Sequence, residues 1–280
     1  MNKIKLQPAF KVSVIISTYN SSEWLEKVLW GFFEQTEIKF EVVIADDGSR
    51  EDTRNLIDSM RRIAPFEIIH VWQADDGFQK CRILNKAIAS ASGEYLIFTD
   101  GDCIPRNDFV AQHIQNAEKS SYLSGAYLKI PMKISQAINR EDIESQRVFS
   151  PAWLFGMGFN SRLKLLKLTR SRILGEFLNR LIPVKPTWNG NNSSCFKESI
   201  IAVNGFNELM QYGGEDCEFG YRLVNYGVKP KRIRYSTIAT HLEHSRGYVT
   251  QDMLKKNFEI IKITRENKLI WTNVGVNQYI

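Results

Sequence analysis

The sequence lacks any long uncharged apolar run. Its longest candidate, Val148 to Ser161, is 14 residues and is interrupted by Pro151, Gly156 and Gly158. A spanning helix needs about 20 consecutive apolar residues, so the chain is not expected to cross a bilayer. The N-terminus carries a few basic residues before an apolar run of about six that ends in polar STYN, too short for a secretory signal. Cysteine is scarce. Cys81, Cys103, Cys195 and Cys217 show neither CxxC nor zinc-like spacing, which points to a reduced, cytosolic compartment. Internal repeats and low-complexity tracts are also absent.

What is present is ample apolar content and an uneven charge. With 280 residues, 43% of them hydrophobic, the chain can bury a sizeable core. The net charge of +6 is matched by one segment, Arg162 to Lys185, which holds seven basic residues and one acid. The remainder is therefore close to neutral. No nucleic-acid-binding motif accompanies this leucine-rich stretch, so no nucleic-acid partner is expected. Leucines and cations interleave at near-helical spacing in RLKLLKLTRSRILGEFLNRL, as in an interfacial helix meeting anionic lipid. A solvated helix packing its leucines inward has the same pattern.

Strand-like and helix-period segments alternate through residues 1–130. VSVIIS (12–17), FEVVIAD (40–46), FEIIHVW (66–72) and EYLIFTD (94–100) read as strands. Helical patterns near 23–33, 53–63 and 83–90 separate them. Such βαβ repetition predicts an α/β fold with a mostly parallel, Rossmann-like sheet covered by helices on both faces. In open sheets of this kind ligands bind at the carboxyl ends of the strands. Each strand runs into a polar loop there: STYN (17–20), DDGS (46–49), QADDG (73–77) and DGD (100–102). Beyond residue 131 the alternation gives way to a polar helix, an aromatic loop and a basic helix, then to a second patterned block from Thr187. A mixed-charge helix is expected over 252–269. The halves 1–130 and 131–280, the latter including the basic segment 150–186, read as one continuous domain.

Asp100 and Asp102 end an apolar strand one residue apart, where two carboxylates repel unless a cation lies between them; hard oxygen ligands suit Mg²⁺ or Mn²⁺. A plain strand-to-loop turn also uses Asp and Gly. Asp46 and Asp47 can accept hydrogen bonds from a base or ribose, or can cap the following helix. Glu215 and Asp216 follow paired glycines that can bend the chain and set both carboxylates at a helix N-terminus, whether for catalysis or for the helix dipole. His241 and His244 share a face on a helix or turn and could bind one metal, but would point to opposite faces in a strand.

Taken in order, these motifs resemble the inverting family 2 glycosyltransferases of the GT-A fold over most of residues 12–130. NGFNE (204–208), YGGED (212–216) and HSR (244–246) resemble the C-terminal region of β-1,4-galactosyltransferases and chondroitin-polymerase-like enzymes. The resemblance implies that Thr18, Tyr19, Asp46 and Asp47 lie near the nucleobase. Asp102 would ligate Mn²⁺ or Mg²⁺, with Asp100 on ribose or metal. His244 matches the family's metal-ligating histidine, and His241 stands where galactosyltransferases carry a methionine ligand. Asp216 matches the catalytic base, and Glu215 would bind a sugar. QADDGFQKCRILNKAI implies donor contacts from Asp75, Lys80, Arg82 and Asn85. Tyr212 replaces the tryptophan that commonly precedes GGED.

The implied reaction is metal-dependent, inverting transfer of a sugar, expected to be UDP-linked, to a hydroxyl of a glycan or lipid-linked glycan in bacterial surface polysaccharide or lipopolysaccharide synthesis. The cytoplasmic membrane face is the expected place for a peripheral contact through 150–186. One rival is a non-catalytic sugar- or membrane-binding homologue, disfavoured by the joint presence of DGD, GGED and HLEH. Another is a sugar nucleotidyltransferase, which would need a glycine-rich, basic phosphate loop where this chain has STYNSSEW.

Overall fold

A computed structural model describes residues 9–182, 186–244 and 249–280. Four parallel strands form its centre: β1 (Val12–Thr18), β2 (Glu41–Asp46), β3 (Ile68–Trp72) and β4 (Tyr95–Asp100). β5 (Cys103–Pro105), β6 (Ser121–Ser124), β7 (Ala126–Lys129), β8 (Ser193–Phe196), β9 (Lys229–Arg232) and β10 (Ile238–His241) follow along the chain. The large sheet has the order β3-β2-β1-β4-β8-β6-β9, with β8 antiparallel to both neighbours. A small sheet has the order β5-β10-β7. Strands from both halves of the sequence thus complete both sheets.

The alternation of side chains along a strand sends neighbours to opposite faces. Val14, Ile16, Val42, Ile44 and Ile97 enter one core with the helices Ser22–Phe33 and Glu51–Arg61. Ile15, Val43, Ala45, Leu96 and Phe98 enter the other, against the helices Lys80–Ser90 and Glu215–Tyr226. Burial on both faces is why β1, β2 and β4 read as nearly unbroken apolar runs. The expected α/β architecture is therefore present, with a mostly parallel sheet flanked by helices.

Two details depart from the sequence-based expectation. The basic segment is not one helix but a short turn, Arg162–Leu165, a 3₁₀ turn, Leu166–Leu168, and a separate helix, Arg172–Leu181. Between them the Thr169 carbonyl accepts from Arg106 Nη1 at 3.0 Å, and the Ser171 side chain caps the second helix by accepting from Leu174 N–H. The polar helix also divides, into Met132–Ala137 and Arg140–Glu144, because Asn139 and Asp142 form a reciprocal capping box that starts a new helix.

The strand ends converge as the parallel register requires. Ser17 lies beside Asp100 and Thr18 beside Asp46. The β2 loop then packs tightly on the β3 loop: Gly48 has φ +95°, and a Cβ there would come within 2.6 Å of the Asp75 backbone.

Candidate active site

At this edge lies a cleft of about 550 Å³. Thr18, Tyr19 and Asp47 line one wall, Lys80, Asp100 and Asp102 its floor, and Glu215, His241 and His244 the opposite side. Residues more than a hundred positions apart meet because β10 pairs antiparallel with β5. His241 sits opposite Cys103, and Leu242 N–H donates to the Asp102 carbonyl at 2.8 Å.

One corner of the cleft is a carboxylate with two imidazoles. Asp102 Oδ2 is 3.0 Å from His244 Nε2 and 3.8 Å from His241 Nε2. One potential ligand atom from each of the three lies within 4.8 Å of the others. The imidazoles stack with centroids 5.7 Å apart, and His241 Nδ1 is buried without a hydrogen-bond partner. His241 ends a strand and His244 follows in the next loop, so the chain's turn, not a helix, brings both rings to Asp102. Ser245 and Arg246 of the HSR element lie outside the described residues. Burial alone would raise the Asp102 carboxyl pKa, but the hydrogen bond from His244 and the nearby His241 hold it below its ordinary value. A carboxylate and two imidazoles, compact and partly buried, fit a divalent transition metal.

The second corner is a charge cluster. Lys80 Nζ donates to Asp100 Oδ1 at 2.7 Å, and Ser17 Oγ donates to the same oxygen at 2.7 Å. Burial opposes the Lys80 ammonium, yet Asp100, Asp216 and Glu215 hold its pKa well above the ordinary value. Gly213 (φ +110°) and Gly214 (φ +88°) supply the left-handed turn from which the helix Glu215–Tyr226 starts. Glu215 Oε2 accepts from Gly213 N–H at 2.9 Å and lines the cleft. Asp216 Oδ2 accepts from Gly190 N–H at 2.8 Å, while its Oδ1 is buried without a partner. Burial, then repulsion from Glu215, pushes the Asp216 carboxyl up to about 7, against the pull of Lys80.

The residues of the loops after β1 to β3, and of the helix that follows, divide by orientation. Asp47 accepts from Gln73 Nε2 at 2.6 Å and from Gln79 N–H at 2.9 Å, and burial raises it to about 6. Asp46 is fully buried and its carboxylate is already engaged, with Ser49 N–H at 2.8 Å and His70 Nε2 at 2.9 Å. Tyr19 donates its hydroxyl to Asp75 Oδ2 at 2.9 Å, closing the rim. Asn85 points away from the cleft and clamps the NGFNE loop, bonding the Phe206 carbonyl and N–H and Glu208 Oε1. Arg82 faces Glu208 at 3.8 Å.

Trp24, Phe78 and Gly190 carried no assignment from the sequence. Trp24 reaches the cleft wall from the first helix, and Phe78 and Tyr212 meet edge to face at 5.7 Å across it. Gly190 supplies the amide that holds Asp216, and a Cβ there would come within 2.9 Å of that carboxylate. NGNNSSCF was visible as a block, and a glycine flanked by asparagines is the signal that marked this close approach.

Solved structures share this architecture and define its class, the GT-A glycosyltransferase fold. A mannosyltransferase from Pyrobaculum calidifontis in complex with GDP-Man and Mn²⁺ superposes with a TM-score of 0.58 at 20% identity, over 85% of this chain and 59% of that one. GalNAc-T7 with UDP, GalNAc and Mn²⁺ gives 0.61 at 14% identity, over 91% of this chain and 48% of that one. The model of glycosyl transferase family 2 matches residues 13–177, more than half of the chain, which therefore belongs to that family and is a glycosyltransferase. The model described as the N-terminal domain of galactosyltransferase matches residues 184–245. An uncharacterized glycosyltransferase of Bacillus subtilis (strain 168) is 28% identical, covering 88% of this chain and 68% of its own length. A chondroitin synthase of Pasteurella multocida (strain Pm70) is 27% identical over 77% of this chain, which spans only 23% of that protein. Among the described residues no helix is long and apolar enough to cross a membrane.

Proposed function

We propose that the chain transfers a sugar from a nucleoside diphosphate to an acceptor hydroxyl with inversion at the anomeric carbon, using Mn²⁺ held by Asp102, His244 and His241. The observation that carries this reading is the meeting of Asp102 with two histidines from the other half of the chain, beside the Glu215–Asp216 helix start. Carboxylate oxygen alone would suit Mg²⁺; two added imidazoles shift the fit toward a transition metal, and the Mn²⁺ in the similar structures favours that ion among them. The bound ion supplies Lewis-acid neutralisation of the departing diphosphate.

The chain's own residues do the rest. Asp47, Thr18 and Tyr19 face the nucleoside, with Asp46 and Asp75 holding the loops that present them. Lys80 pairs with Asp100 beneath the donor; Arg82 and Asn85 act from behind by fixing the 204–208 loop. Glu215 receives a sugar hydroxyl. Asp216 takes the proton from the acceptor hydroxyl, the freed oxygen attacks the anomeric carbon, and the bond to the diphosphate oxygen breaks with its electron pair leaving on the diphosphate. A pKa near 7 suits a base that must be ionised at neutral pH yet still attract a proton.

A UDP-linked hexose or N-acetylhexosamine is the donor class we favour, because relatives include a chondroitin synthase and neighbouring structures hold UDP and UDP-GlcNAc. The acceptor is a glycan or lipid-linked glycan, and bacterial surface polysaccharide or lipopolysaccharide synthesis is the setting. The test is release of nucleoside diphosphate from a panel of sugar nucleotides with acceptor glycans and Mn²⁺. Turnover restricted to one donor and abolished by chelation is expected; a panel with no turnover, despite measurable nucleotide binding, would favour a binding-only protein.

A further inference from the structure

Surface helices ordinarily bury their apolar stripe and expose their polar one. The helix Arg172–Leu181 does the reverse. Ile173 is 83% exposed, Phe177 56% and Leu181 62%, and Leu174 beside them is also exposed. At 100° per residue these four positions form a stripe about 100° wide. The side that packs on the protein is small and polar. Gly175 lies so close to the Tyr235 carbonyl that a Cβ would approach it to 2.6 Å. Asn179 bonds Ser236 Oγ and Tyr235 N–H, each at 3.0 Å. Polar contacts thus fix the helix with its apolar stripe outward.

The exposed apolar surface continues into the preceding turns. There Leu163 is 81% exposed and Leu166 is exposed too, while Leu165 and Leu168 anchor the turns in the core. Cations border the same surface: Arg162, Lys164, Arg170, Arg172 and Arg180 are all exposed. Glu176 is the sole acid within 162–182, and it is paired with Arg172 at 2.8 Å. We infer that this face, from Arg162 to Leu181, is a docking surface for an anionic lipid bilayer, with Ile173, Phe177 and Leu181 entering the acyl boundary and the arginines meeting the headgroups.

Charge selects the occupant. A second copy of the chain packed on this face would bring its own five cations against these five, whereas cores of protein interfaces are depleted in charge. An anionic bilayer satisfies both properties at once, since long cationic side chains lie along apolar surface and reach the headgroup level. The position also has a consequence for the cleft. Lys167 Nζ donates to the Tyr127 carbonyl at 3.0 Å, and the Tyr127 ring lies 5.5 Å from that of His241. The docked face is therefore fastened to the small sheet that carries the Asp102–His241 corner. This inference does not depend on the proposed reaction.

Flotation of this chain with vesicles of phosphatidylcholine alone, or with about one-third phosphatidylglycerol, tests it. Binding to the anionic vesicles should exceed that to the neutral ones by about tenfold or more, and should weaken as salt rises toward about 0.5 M. Ile173→Ser with Phe177→Ser, and separately Arg170→Gln with Arg172→Gln, should each reduce binding about tenfold. These side chains are exposed, so circular dichroism and nucleotide binding should stay unchanged. Absence of binding to anionic vesicles would overturn the inference, as would variants that bind like the parent. A dimer dissolved by the Ile173/Phe177 pair, with vesicles left unbound, would assign the face to a second copy instead.

Discussion

Asp102 lines the cleft, Asp216 lies next to the cleft-lining Glu215, and their surroundings drive the two in opposite directions. Asp102 is held below its ordinary pKa by His244 and His241 despite its burial, a state suited to a cation. Asp216 is raised to about 7 by burial and by Glu215, a state suited to a proton. The difference comes from neighbours, since the side chains are identical: one is given imidazoles, the other a second carboxylate and a single backbone amide. Two carboxylates with separated pKa values are the pattern expected where one binds charge and the other moves it.

The most severe break in that comparison is Asp216→Asn. An amide keeps the Gly190 hydrogen bond but cannot accept the acceptor's proton, so sugar transfer should fall by about a thousandfold or more. Binding of nucleotide, measured by calorimetry, should survive. An active Asn variant would remove Asp216 from the role of base. Next in size is the metal corner: His244→Ala or Asp102→Asn should lower turnover by roughly a hundredfold and raise the Mn²⁺ concentration needed for half-maximal activity. Added Mn²⁺ should partly restore His244→Ala but leave Asp216→Asn inactive, which separates the two corners in one titration.

A milder perturbation sharpens the contrast instead of destroying it. Lys80 lowers the Asp216 pKa and pairs with Asp100. Lys80→Met should shift the acid limb of kcat/KM, expected near pH 7 for the parent, to higher pH, with about tenfold lower activity at neutrality. Glu215 and Asp100 face the same carboxylate and remain, so the direction is upward. An unmoved limb would show that another group governs it.

Much of the cleft wall at the strand ends was legible because strands buried on both faces leave long apolar runs whose ends are unmistakable. The four polar loops after β1 to β4 all reach the same edge. Orientation within those loops was less legible. Asp46 and Asp47 are adjacent letters, yet the last strand position turns one inward to His70 and the next toward the cleft. Lys80, Arg82 and Asn85 fall on one helix, where 100° per residue places the latter two about 160° and 140° away from Lys80. That geometry explains why Lys80 alone of the three lines the cleft. The small sheet was invisible, because CIP, AYLK and IATH are too short to carry a period. Yet it is this sheet that places His241 against Asp102.

The smallest expected effect concerns stability, and its sign distinguishes the two corners independently of any assay. Folding raises Asp216 from 3.8 to about 7. A carboxyl with a raised folded pKa contributes its full stability below the unfolded pKa, where both states are protonated, and that contribution is lost as pH rises through the folded value. Wild-type protein without metal should therefore carry an ionised, buried and repelled carboxylate at pH 8, and Asp216→Asn should melt a few degrees higher there. The advantage should shrink steadily as pH falls from 7 toward 4 and disappear only below the unfolded value of 3.8, where the wild-type carboxyl is neutral in both states. Asp102→Asn should show the opposite sign, because its folded pKa is lowered and the ionised form is the stabilised one. That variant should melt lower than wild type at pH 8, with the deficit fading as pH falls through the folded Asp102 pKa. Melting temperatures of the two variants that moved in the same direction at pH 8 would mean that the carboxylates are not tuned apart, and the division of labour between the corners would fail with them.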